Sequence, residues 1–188
     1  MRMKLIYILC IVSIFAFGCA KPPLEEMDKA RVAVFTAEND ANAIQYASGT
    51  VQRAREALRR MNEEADSKRY DAARAAAAEA ISAAEKAIAD GRAGAGRAGG
   101  ESDNLITALR AEIEETSRNI ASARYSQLAL DYNALDSTIV RAHSTADDAE
   151  IDQTFGRYDS AMDKARSVRA DLIDINQKIA SAATVKKK

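Results

Sequence analysis

Tryptophan is absent from this 188-residue chain, and aromatic residues make up only 5% of it. A thick core built on large rings is therefore excluded. Hydrophobic residues still reach 47%, and alanine supplies much of that fraction. Alanine favours helix strongly but contributes little buried surface per residue. The composition thus predicts narrow, closely packed helix seams. Proline occurs only as Pro22 and Pro23, and the proline-free remainder suits long helices. Histidine occurs once and cysteine twice. A zinc site usually needs several such ligands, so no metal site and no cofactor are expected. Neither sign of charge dominates: 27 basic and 28 acidic residues give a formal charge of −1. Both signs are interspersed, which argues against a nucleic-acid binder.

What is present begins at the N-terminus. Met1-Arg2-Met3-Lys4 is a short positive start, and Leu5 to Phe17 is apolar apart from Ser13. That run is too short to span a bilayer, which takes about 20 residues, but it has the length of a signal-peptide core. It ends in Ala16-Phe17-Gly18-Cys19. Small residues followed directly by cysteine resemble the lipobox of bacterial lipoproteins, with Ala16 where that motif usually carries leucine. The resemblance implies cleavage before Cys19 and a diacylglyceryl group on its thiol. Residues 1–18 are then a signal peptide and residues 19–23 a lipidated tether. Removing residues 1–18 takes away Arg2 and Lys4 and no acid, leaving 25 basic and 28 acidic residues from the 27 and 28 of the whole chain. Cys10 leaves with the leader, so no disulfide is expected. Ala20, rather than Asp, follows the cysteine. By resemblance to lipoprotein sorting in Gram-negative envelopes, this implies the outer membrane, facing the periplasm.

The rest of the chain reads as all-α. Met27, Ala30, Val34, Ala37, Ala41 and Ile44 recur at steps of three and four, which places one apolar seam along a helix. Ser48-Gly49-Thr50 breaks the pattern. Val51, Ala54, Leu58, Met61 and Ala65 resume it, and after Asp66-Ser67 it continues through Tyr70, Ala73, Ala77, Ala80, Ala84 and Ala87. Residues 24–90 therefore predict an antiparallel helical hairpin or three-helix unit, with residues 50–90 forming one helix or two. Five of the eight glycines fall in residues 91–101, and this stretch reads as a glycine-rich linker. It lacks the Gly-Lys-Ser/Thr ending of a phosphate loop. Ser102-Asp103 suits a helix start. The seam then runs through Ile106, Leu109, Ile113, Thr116, Ile120, Ala123, Gln127 and Leu130, and slips to Leu128, Leu135 and Ile139. Ser144-Thr145-Ala146-Asp147 resembles a capping box. A last seam contains Ile151, Phe155, Tyr158, Met162, Ala165, Val168, Leu172, Ile175, Ile179 and Ala182. Residues 102–183 thus predict a long antiparallel hairpin turning at His143–Ala146, followed by a basic tail at 184–188.

No group of residues points to catalysis. His143 stands alone beside a predicted turn, where it complements a helix end. Asp147, Asp148, Glu150 and Asp152 form an acidic cluster without the glycine or spacing of a calcium loop. Tyr46, Tyr70, Tyr125, Tyr132 and Tyr158 could line a ligand groove, although such rings more often seal helix seams. No serine sits in a nucleophile-elbow pattern. Lys186-Lys187-Lys188 complements the last helix dipole. With the anchor and the helicity, the final lysine also resembles the Braun-type lipoproteins, which implies Lys188 as a candidate peptidoglycan attachment point.

A second resemblance covers about residues 19–90. Cys19, Pro23, Tyr46-Ala47 at a turn, Val51-Gln52-Arg53-Ala54-Arg55, and Arg69-Tyr70-Asp71-Ala72-Ala73 opening an alanine-rich helix carry it. Together they resemble a small helical domain of unknown function found in bacterial envelope lipoproteins, sometimes beside OmpA-like modules. The proline usual after Tyr-Ala is Ser48 here. Tyr-Asp-Ala-Ala also resembles the start of a tetratricopeptide repeat, but no sustained 34-residue period accompanies it. The expectation is a lipid-anchored periplasmic scaffold or adaptor, held to the membrane through Cys19 and meeting an envelope protein or peptidoglycan. The alternatives are a lipoprotein that binds an amphiphile or small ligand, and a peptidoglycan tether through Lys188.

Overall fold

Alanine-spaced seams do fold as helices. The computed structural model describes residues 21–186, and among them all regular structure is helical. The helices are α1 (Leu24–Asn39), α2 (Ala41–Tyr46), α3 (Ser48–Asp66), α4 (Tyr70–Tyr125), α5 (Tyr132–Thr154) and α6 (Tyr158–Lys186). The chain divides into two compact units at Arg92/Ala93, within the predicted linker.

The first unit is a three-helix bundle. Side-chain pairs fix its directions. Arg31 donates to Asn62 over 3.3 Å and Arg55 to Glu38 over 2.6 Å, so α1 and α3 are antiparallel. Arg60 meets Glu79 at 2.6 Å, which sets α3 against α4 in the same sense. Arg74 lies 3.6 Å from Glu26, so α4 returns parallel to α1. Exposed pairs of this kind contribute little stability; the core between them does most of that. Met27, Ala30, Val34, Ala37, Val51, Ala54, Ala57, Met61, Ala77, Ala80, Ala84 and Ala87 form one buried cluster. The predicted seam fails at Ala41 and Ile44, which are exposed. Asp40 is extended there and accepts a hydrogen bond from the Ala43 amide, capping α2. This new start rotates the helix and buries Ala43 and Ala47 instead.

The second unit is also up–down–up. Arg110 meets Asp147 at 2.5 Å and Arg124 meets Asp136 at 2.7 Å, so α4 and α5 are antiparallel. Lys164 lies 2.8 Å from Asp152 and Arg141 lies 3.4 Å from Asp171, which makes α5 and α6 the antiparallel hairpin. Asn176 donates to Thr116 over 3.0 Å, so α6 runs parallel to α4. Ile106, Leu109, Ile113, Ala142, Ala146, Ala149, Ala161, Ala165, Val168 and Leu172 pack as its core.

Three expectations need correction. The predicted linker at 91–101 is helical, inside α4. Helix spacing passes straight through it: Gly91, Gly94, Ala98 and Ser102 are buried between Ala87 and Ile106. Small residues serve there because the seam is narrow, and packing offsets a propensity loss of about 1 kcal/mol per glycine. The turn expected at His143–Ala146 lies within α5, and the start expected at Ser102 lies within α4. The real breaks fall at residues 126–131 and 155–157. Gln127 and Phe155, placed in seams by spacing, sit in those breaks, and Phe155 is 69% exposed. The open choice at residues 50–90 resolves as two helices, α3 and α4, separated at 67–69.

Three breaks share one backbone device. Lys68, Gln127 and Gly156 have positive φ. At each, the following amide reaches back to the carbonyl five residues earlier: Arg69 to Glu64, Leu128 to Ala123, and Arg157 to Asp152. This is the Schellman helix ending.

Two of these endings also match in sequence. Arg69-Tyr70-Asp71 recurs as Arg157-Tyr158-Asp159, 88 residues further on (69 to 157). Arg69 pairs with Glu64, and Arg157 with Asp152, at the same spacing. Beyond the turns, Ala73, Ala77, Ala80, Ala84 and Ala87 are buried, and so are their counterparts Ala161, Ala165, Val168, Leu172 and Ile175. Each unit is thus built from the same helix–turn–helix element, with larger side chains in the second.

Candidate functional site

The helix endings hold the most tightly arranged polar groups. Asp152 is 5% exposed. It accepts from Arg157 over 2.8 and 2.6 Å and lies 2.8 Å from the Lys164 ammonium. Ser160 donates to its other oxygen. Hydrogen bonding from Lys164 first, then Ser160 and Arg157, drives the Asp152 carboxyl far below the ordinary carboxylate range. Every partner belongs to the turn or to the helix after it. The arrangement pins that turn and presents no open position to a substrate.

The predicted site residues are dispersed. His143 is partly exposed, with its Nε2 3.9 Å from Glu114. Asp147 and Glu150 both take the Arg110 guanidinium, at 2.5 and 2.8 Å, while Asp152 faces the turn. The acidic cluster is thus divided between two neighbours. Among the described residues no group of three His, Cys, Asp or Glu could hold a metal. The tyrosines do not converge either. Tyr125 is 92% exposed, Tyr132 donates to the Leu128 carbonyl over 2.8 Å, and Tyr158 lies over Gly99. Cys19, the tether before Lys21, and Lys188 lie outside the described residues.

One concave surface that sequence reading missed is a groove at one end of the second unit. It occupies about 520 Å³ between the end of α4, the 126–131 connection and the end of α6. Ala123, Leu128, Ile179 and Ala183 give it an apolar floor, with Asn119, Ser122, Ser126 and Asn176 around them. Among the described residues Lys186 is its one charged lining residue, and its ammonium donates to the Ser126 carbonyl. One wall is fixed by a polar layer. Asn119 Nδ2 donates to Asn176 Oδ1 over 2.9 Å, and Asn176 Nδ2 donates to Thr116 Oγ1 and to Leu172 O over 3.0 and 2.9 Å. Below it Arg169 grips Glu112 through two bonds of 2.8 and 2.7 Å. The spacing of Ala123, Ile179 and Ala182 does place a seam here. Its failure to close depends on where α5 begins, which spacing alone does not reveal.

Residues 25–99 match the family model of a domain of unknown function, DUF4398. The match takes in α1, α2, α3 and α4 as far as Gly99, on the stretch whose motifs resemble a helical domain of unknown function. No curated protein and no solved structure matches the chain. No helix among the described residues is long and apolar enough to cross a membrane.

Proposed function

We propose that this chain is a lipid-anchored helical adaptor of the bacterial envelope, tethered through Cys19 and facing the periplasm. The Gly18-Cys19 motif behind a short apolar leader supports the anchor. A kinship with the envelope lipoproteins that accompany OmpA-like modules is part of the same reading. One structural observation carries the adaptor role. Val140, Ile151 and Phe155 are 69%, 50% and 69% exposed on α5 and at its end. Their spacing of eleven and four residues keeps them on one side of the helix. The corresponding positions in the first unit are Gln52, Glu63 and Ser67. The shared helix–turn–helix element therefore does not require apolar residues there. An exposed apolar stripe beyond the needs of the fold marks a protein-binding face.

A photoreactive residue placed at Ile151 in intact cells tests this reading, with the same group at Glu63 as the control. A discrete adduct from position 151 is expected. Phe155→Glu should remove it, and Cys19→Ala should reduce it by releasing the protein from the membrane. Equal adduct patterns from positions 151 and 63 would contradict the adaptor role.

The groove favours a second reading, in which the protein carries an amphiphile. Its apolar floor and lone ammonium are the supporting observation.

A further inference from the structure

The two helix–turn–helix elements act as an internal control, because what the fold needs should occur in both. At the position of Ile179 the first element has Gly91, and at that of Ala180 it has Arg92. Gly91 packs so closely on α2 that a Cβ would stand 2.5 Å from the Ala43 nitrogen and 2.7 Å from its Cα. That end of the first unit has no room for even a methyl group. In the second unit the 126–131 connection contains no helix, and the groove stays open beside Ile179. An open end is therefore a property of the second unit and not a consequence of the architecture.

The lining chemistry selects the occupant. A second hollow of about 370 Å³, bordered by Gln127, Ala129, Ala182, Val185 and Lys186, shares Lys186 with the first. No acidic side chain lines either hollow. Among the described residues Lys186 carries the one charge that lines both. Its bond to the Ser126 carbonyl uses one of three ammonium donors. The larger volume lies within the roughly 300–1,000 Å³ of small-molecule sites. An apolar trough lined by one cation complements a hydrocarbon chain that carries one anion.

We propose that this groove binds a single-chain anionic amphiphile of the fatty-acid class. The alkyl chain lies on Ala123, Leu128, Ile179 and Ala183, and the carboxylate meets Lys186. This inference rests on the amphiphile reading of the groove and does not depend on the Cys19 anchor.

The test uses the full chain in phosphatidylcholine vesicles with a photoreactive dodecanoic acid, followed by peptide mapping of the adducts. Adducts are expected on residues 122–128 and 179–186. Ala183→Phe, which fills the trough from its partly exposed side, should lower them at least tenfold. Ala180→Phe, at an exposed position, is the second variant and should act in the same direction, with helicity followed by circular dichroism. Lys186→Glu should weaken capture of the acid several-fold and leave the methyl ester of the same probe unaffected. Adducts spread over both units, or unchanged in the two Phe variants, would overturn the site. Equal loss of acid and ester in Lys186→Glu would overturn the role given to the ammonium.

Discussion

Gly91 of α4 faces Ala43 of α2 with no space for a side chain: a Cβ on Gly91 would lie 2.5 Å from the Ala43 nitrogen. At Gly96 and Gly100, in the same glycine-rich stretch, a Cβ would meet nothing within 4 Å. The stretch therefore makes opposite predictions at neighbouring sites. Gly91→Ala should destabilise the first unit by roughly 1–3 kcal/mol, because the α2 backbone must shift. Gly96→Ala and Gly100→Ala should each stabilise by about 0.5–1 kcal/mol through helix propensity. Urea unfolding of the three variants checks this. A linker would respond alike at all three.

Trypsin gives a second view of the same segment. Arg92 and Arg97 would be early cleavage points in a flexible linker. Within a packed helix they should resist limited trypsin longer than Lys68, which lies in a turn with φ 59°. The order of fragments by mass spectrometry decides between the two.

The helix endings predict opposite effects of glycine. Lys68 holds φ 59° and Gly156 holds φ 72° at corresponding turns. A non-glycine residue in the left-handed region costs roughly 1–2 kcal/mol. Lys68→Gly should recover part of this, up to about 1 kcal/mol, whereas Gly156→Ala should lose about 1 kcal/mol. Thermal midpoints of the two variants, moving in opposite directions, test the shared ending.

These turns also show how far the sequence could be read. Step-of-three-and-four spacing located many buried positions of α1, α3, α4 and α6, such as Met27, Leu109 and Ile175, because a narrow helix seam repeats locally. It missed Ala43, Ala57 and the Ala142, Ala146 and Ala149 seam of α5. It placed Ile151 and Phe155 wrongly because their spacing continues the α6 pattern across a turn. Glycine occupies only one of the three Schellman endings; Lys68 and Gln127 adopt the same geometry without it. Conversely, the glycines at 91–100 signalled a break where seam packing keeps the helix. The Arg-Tyr-Asp repeat was present in the letters, but its meaning rests on the paired acids Glu64 and Asp152 five residues earlier. The groove depends on how α4, α6 and their connection splay, a three-dimensional fact with no local pattern.

Acid should weaken the second unit through Asp152. Its carboxyl is held well below the ordinary range by Lys164, Ser160 and Arg157. The unfolded chain protonates this group near pH 3.9, so its contribution is complete above that pH and is lost progressively as pH falls below it. Asp152→Asn should therefore lower the thermal midpoint at pH 6 and have a smaller effect at pH 2. Equal effects at both values would show that the ion pairs are not what holds the turn.

Leu172 is 2% exposed in the second core, where the first unit has Ala84. Leu172→Ala should destabilise the protein by about 2–5 kcal/mol. Leu172→Asp should do so more severely, by burying a carboxylate without a partner. Native-like denaturant midpoints for Leu172→Asp would contradict the packing of α6 on α4 and α5.

The most direct test of the lipid-anchored adaptor is the intact mass of the protein extracted from cell membranes. The expected species is a mature chain that begins at Cys19 and carries a diacylglyceryl group, and it should be absent from Cys19→Ala. A membrane-extracted chain that starts elsewhere, or an unmodified Cys19, would contradict the anchor that the proposal places at Cys19.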